Sequence, residues 1–170
     1  MVKASAENHW ELRIERLVPL KRHVAYRVMR THIRDWWYHP SLCLVSNVLI
    51  DWRSSGAFRM TDATGNAIQD GIIHNLRHGS YFQMTDAFVG FGLPAKPSMI
   101  GLWGFETTPI DHPSYGAVRA GNGDCSTHFS VIRHFSEADY LRSRAQGFEK
   151  GWNDAADRLV KLCNARPRPI

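Results

Sequence analysis

Nine histidines are the side chains of this 170-residue chain best suited to hold a metal or move a proton. Metal chemistry needs ligands that converge, as in HExxH on one helix face or HxH on one strand face. Neither pattern occurs, and no His/Cys cluster does. His74 and His78 flank a strand end, where they diverge, and His112 lies in a Pro- and Gly-containing stretch. No metal and no cofactor are expected. His128 and His134 differ from the rest. In a strand over Ser126–His134 they share a face with Ser130 and Ile132, leaving Thr127, Phe129 and Val131 on the other. Which face turns inward stays open. If it is the histidine face, His134 could be a polar anchor or a general base, histidine being the side chain that titrates near neutrality. A hydrogen-bonded structural role is the commoner fate of a buried histidine.

Among the carboxylates, Asp86 is the second candidate for acid–base work, beside Asp35 and Asp51. Each stands at a strand end or before a helix, where turn and capping roles suffice. Hydrolysis by paired carboxylates would need a convergence that these spacings do not supply. There is no GxSxG, P-loop or GxGxxG, and Gly90-Phe91-Gly92 lacks the flanking strand and helix of a phosphate loop.

The apolar side chains are more suggestive. Six Trp and eight Phe can build a core or line a cavity. Alternation along Met99–Phe105 sets Met99, Gly101, Trp103 and Phe105 on one face, with Gly101 leaving room beside two rings. Together with Trp36, Trp37, Phe58, Phe148 and Trp152, these residues are the expected lining of an apolar ligand site.

Positioning them falls to an α+β arrangement. Trp10, Leu12 and Ile14 alternate with charged residues as a first strand, closed by Pro19. Lys21–Thr31 reads as a helix with Arg22, Arg27 and Arg30 available to water, and Asp35-Trp36-Trp37-Tyr38 as a second short one. A meander follows: Cys43–Trp52, Ala57–Thr61, a turn at Asp62–Asn66, Asn66–Leu76, Ser80–Asp86, Met99–Thr107 and Ser126–His134. The apolar stretch Phe88–Pro97 and the segment Thr108–Asp124 read as loops. Ser136 can cap a final helix whose stripe runs Leu141, Ala145, Phe148, Trp152, Ala155, Leu159 and Leu162, continuous over about six turns.

A length of 170 residues suits one domain, expected over residues 9–165 between flexible termini at 1–8 and 166–170. The net charge of +5 is spread without a dense Lys/Arg run, so no nucleic-acid partner is expected. Cys43, Cys125 and Cys163 lack CxxC spacing and read as reduced, buried thiols. With no apolar leader and no apolar run near the ~20 residues of a membrane span, a cytoplasmic protein without membrane insertion is expected. Homodimerisation is open through a strand edge or the Phe88–Pro97 loop.

In order along the chain stand Val18-Pro19, Asp35-Trp36-Trp37, Asp51-Trp52-Arg53-Ser54-Ser55-Gly56-Ala57-Phe58, Gly71-Ile72-Ile73, Thr85-Asp86-Ala87-Phe88, Phe105-Glu106, His134 and Gly147-Phe148-Glu149-Lys150-Gly151-Trp152. This series resembles the START-like (SRPBCC) superfamily, in its branch of homologues of the heat-shock-protein-90 ATPase activator. Ser54-Ser55-Gly56 departs from the family's frequent Pro-Gly-Gly turn, and Thr108–Asp124 is longer than its usual hairpin. The resemblance implies a helix-grip fold: a curved antiparallel sheet of six or seven strands around a long C-terminal helix, with two short helices after the first strand. It also implies an internal cavity for a small hydrophobic or aromatic ligand. It does not imply a reaction, since such proteins include carriers, polyketide cyclases and cochaperone domains. A ligand-binding module is the expected function; a cyclase- or dehydratase-like enzyme using His134 or Asp86, or a cochaperone-like protein, are the alternatives.

Overall fold

The computed structural model describes residues 10–37, 45–87, 97–108 and 125–165. Seven strands form one antiparallel sheet: β1 (Glu11–Val18), β2 (Asn47–Ile50), β3 (Ala57–Thr61), β4 (Ala67–Arg77), β5 (Tyr81–Ala87), β6 (Met99–Thr107) and β7 (Ser126–His134). Their order is β1-β7-β6-β5-β4-β3-β2, so β1 and β2 are the edges. Two helices follow β1, α1 (Arg22–Thr31) and α2 (Ile33–Trp36), and two end the chain, α3 (Glu137–Ala145) and α4 (Phe148–Asn164).

Period-two patterning sets the sheet's inner face. Ile14 and Val18 are buried while Arg13 and Glu15 are exposed, and Glu11 pairs across the strands with Arg133 at 2.7 Å. Phe58 and Met60, Phe82 and Met84, and Trp103 and Phe105 repeat the rule on β3, β5 and β6. On β7 the inward face carries His128, Ser130, Ile132 and His134, all buried. That answers the question the sequence left open.

Helix α1 lays Ala25, Tyr26, Val28 and Met29 into the concavity, and α4 adds Ala155, Ala156, Leu159 and Cys163. Arg16, on the inner face of edge strand β1, ties α4 down by donating to Asp157 Oδ1 (2.8 Å) and Asn153 Oδ1 (2.9 Å). Arg158 of α4 donates to the Trp36 carbonyl oxygen at 3.0 Å, satisfying the C-terminal end of α2.

The C-terminal stripe is not one helix. Ser136 caps α3 by accepting from the Asp139 amide (3.2 Å), but the helix stops at Ala145 and Gly147 adopts φ +76° before α4 starts. Leu141 and Ala145 are exposed, and α3 buries no residue. The spacing of apolar residues continues through Gly147, but its backbone does not. This left-handed geometry suits glycine and costs an L-residue about 1–2 kcal/mol. Nothing lies within 4 Å of a Cβ at this position. Gly147→Ala is therefore expected to lower stability by about 1 kcal/mol, through backbone strain alone, in urea denaturation.

Strand β2 is shorter than the expected Cys43–Trp52. Asp51 to Gly56 form a turn, in which the Arg53 amide donates to the Asp51 carbonyl (2.7 Å) and the Gly56 amide to that of Arg53 (3.0 Å). A Cβ on Gly56 would meet the Asp51 carbonyl oxygen at 2.0 Å, so only glycine fits this turn. Cys43, His112, residues 88–96 and residues 109–124 fall outside the described residues.

Candidate functional site

The concave face has two ends. One lies under α1 and α2, beside the Asp51–Gly56 and β4–β5 turns. The other lies where β7 ends, β6 begins and α3 passes into α4. The expected aromatic lining divides between them.

At the first end Trp36 is fully buried and donates its indole N–H to the Met29 carbonyl (2.8 Å). Its ring stands edge-on to His128 at 6.4 Å, and Phe105 lies 5.1 Å from the same imidazole. His128 has both nitrogens satisfied. Nδ1 faces the Gly104 carbonyl oxygen (3.0 Å), which only an N–H can satisfy, so Nε2 is the acceptor for Ser130 Oγ (3.0 Å). Burial, reinforced by the Arg16 charge, depresses the His128 pKa to about 4 against the partial support of the Gly104 carbonyl. It is a neutral structural histidine.

Trp37 faces the middle of the sheet, although it adjoins Trp36. Its ring lies 5.0 Å from Phe58, 4.8 Å from Trp103 and 4.8 Å from Trp152. The room above Gly101 is not empty. A Cβ there would stand 2.0 Å from Trp103 Cη2, because the Trp103 indole lies across the glycine. From Trp103 a tract of rings leads along α4 to the second end: Trp152 at 5.2 Å, then Phe148 at 6.1 Å, then His134 at 4.9 Å.

His134, opposite Met99 in register, is buried. Its Nδ1 lies 3.4 Å from the Trp10 carbonyl oxygen and its ring is edge-on to Tyr140 of α3. Nε2 is buried without a hydrogen-bond partner among the described residues, and so is the indole nitrogen of Trp103. Natively buried polar atoms are rarely left so. The tract thus has an orphaned nitrogen at each end.

Asp86 occupies the same row of the inner face, two strands from His134 and hence about 10 Å away at the usual strand spacing. Its carboxylate accepts from the Ser98 amide (2.9 Å), the Met99 amide (2.8 Å) and Ser98 Oγ (2.6 Å). It fixes the start of β6 rather than facing His134. Among the described residues no three His, Cys, Asp or Glu side chains gather as a metal site. None of the described helices is long and apolar enough to cross a membrane.

Sequence reasoning missed Phe82, Tyr140 and Trp52. Phe82 alternates with Met84 and Asp86 and could have been found by strand parity; its ring lies 5.5 Å from Trp103. Tyr140 carried no signal, because its proximity to His134 depends on where α3 stops.

The sheet, the two short helices after β1 and the C-terminal helix pair make this a helix-grip (START-like) architecture. Solved structures share it. Protein NE0264 from Nitrosomonas europaea superposes with a TM-score of 0.69 at 18% identity, over 94% of this chain and 97% of that one. CalU16 from Micromonospora echinospora gives 0.57 at 15% identity, over 91% and 76%. DynU16, from the dynemicin biosynthetic locus, gives 0.56 at 12% identity; 92% of this chain covers 48% of that one. Identities this low establish the fold alone. No protein family and no curated protein matches the sequence.

Proposed function

We propose that the protein is a binding module for a small aromatic ligand bearing a polar group at each end, held along the ring tract between the sheet and α4. The observation that carries this reading is the pair of orphaned nitrogens, His134 Nε2 and Trp103 Nε1, joined by the rings of Trp152 and Phe148. An unmet buried polar atom costs about 1–3 kcal/mol, which a ligand hydroxyl donating to His134 Nε2 and a ligand oxygen accepting from the Trp103 indole would recover. Rings supply the remaining surface, as ligand sites generally combine apolar lining with few polar groups. Phe148 and Tyr140 are only half-buried and α3 buries nothing, so the His134 end is the point of access. The Trp10 carbonyl orients the His134 ring but adds no negative charge to support a general base, and the Asp86 carboxylate is engaged elsewhere.

The test is titration with 2,6-dihydroxynaphthalene, a flat apolar ring with a hydroxyl at each end. His134→Leu is expected to weaken binding at least tenfold while leaving unfolding stability equal or higher, because the orphaned nitrogen goes with the imidazole. A histidine whose role is structural would show the reverse: lost stability and unchanged affinity.

A further inference from the structure

The chain carries a second recess, away from the ring tract and on the outer side of the first end. It runs between α1–α2 and the β2 edge as two adjoining hollows of about 400 and 420 Å³, which share Arg30, Thr31 and Trp52. His23, Arg27 and Arg30 follow one another at spacings of four and three, so they share a face of α1, Arg34 joins them from α2, and all four line the hollows. Among the described residues no acidic side chain lines either one. The nearby carboxylates are engaged elsewhere, Asp35 with His32 and Asp51 with Arg53.

Arg30 stands at the junction. Its guanidinium lies 4.5 Å from the Trp52 ring centre and 5.8 Å from that of Tyr26, and a terminal nitrogen donates to His78 Nδ1 at 3.4 Å. Its Nε is buried without a partner among the described residues. Trp52 is held in place by the Asp51–Gly56 turn on one side and by Phe82, 5.2 Å away, on the other. The guanidinium is thus fixed in a plane by two rings, desolvated at Nε, and without a counter-ion among the described residues. A planar fork so arranged matches an oxyanion, and three arginines with no carboxylate among them match more than one negative charge.

We propose that this recess binds a phosphate-bearing ligand. Arg30 is the fixed contact, and Arg27 and Arg34 reach the anion from either hollow. Phosphate fits better than carboxylate because one group brings a charge of about −1.5 to −2 at neutral pH with three acceptor oxygens. Free phosphate esters and lipid headgroups share that chemistry.

Isothermal titration calorimetry with pyrophosphate, and flotation with vesicles containing phosphatidylglycerol, separate the two sources. Binding is expected in at least one arm, weakened at least tenfold by Arg30→Gln and by the double variant Arg27→Gln/Arg34→Gln. Both positions of the double variant are exposed, so it retains the fold if Arg30→Gln does not. No binding in either arm, binding unchanged in the double variant, or binding only to a single-stranded oligonucleotide would overturn the proposal.

Discussion

Gly101→Val is expected to destabilise the protein by about 3 kcal/mol, with the loss visible as a lower urea midpoint and a disturbed tryptophan spectrum. Even the first added carbon would stand 2.0 Å from Trp103 Cη2 and 2.4 Å from Cζ3. Those atoms belong to a rigid bicyclic ring, not to the mobile end of a flexible chain. The ring cannot retreat, because Trp37, Trp152 and Phe82 surround it at 4.8, 5.2 and 5.5 Å. Overpacking a dense core costs about 1–3 kcal/mol, and here several rings would have to move together. Trp103→Ala approaches the same contact from the other side and is expected to cost about 4 kcal/mol through the cavity it leaves. A tolerated Gly101→Val would mean that the indole does not lie over β6.

The second large effect is acid lability from His128. Its pKa is about 4 in the folded protein against 6.5 for an ordinary histidine, so between those values the unfolded chain binds a proton that the native one refuses. Stability therefore falls as pH drops through this window and is unaffected by this group above it. The full difference approaches about 3 kcal/mol by pH 4. His128→Gln retains polar groups without the titration. It is expected to flatten the slope of unfolding free energy between pH 6.5 and 4, at some cost in stability at neutral pH. An unchanged slope in the variant would assign the acid sensitivity to other groups.

The sheet was legible because strand parity is a local property. Ile14 and Val18, Phe58 and Met60, Trp103 and Phe105 announce their faces by alternation alone. The inward turn of β7 was not legible. Its inner face mixes His128, Ser130 and His134 with Ile132, while its outer face offers Phe129 and Val131, so hydropathy pointed both ways. What makes the polar face tolerable inside is tertiary: the Gly104 carbonyl, Ser130 and the Leu20 carbonyl, which accepts from Ser126 at 2.9 Å.

The broken C-terminal helix shows the complementary error. Apolar spacing carried the stripe straight through Gly147, where the backbone turns left-handed. Of the candidate site, residue types were readable and grouping was not. Trp36 and Trp37 meet edge-on at 5.2 Å yet reach different partners, His128 from the first and Trp103 from the second. Arg27 and Arg30 were readable as one face, but nothing local placed Trp52 against Arg30, since that contact depends on the turn after β2.

Ligand contact at both orphaned nitrogens of the ring tract has a direct spectroscopic signature. Nitrogen-15 spectra of the protein during titration with 2,6-dihydroxynaphthalene read it. The indole N–H of Trp103 and Nε2 of His134 are expected to shift together and to saturate at one ligand concentration, while the indole of Trp52 stays put. Shifts confined to Trp52, or an unmoved Trp103 signal at saturating 2,6-dihydroxynaphthalene, would contradict ligand contact along the tract.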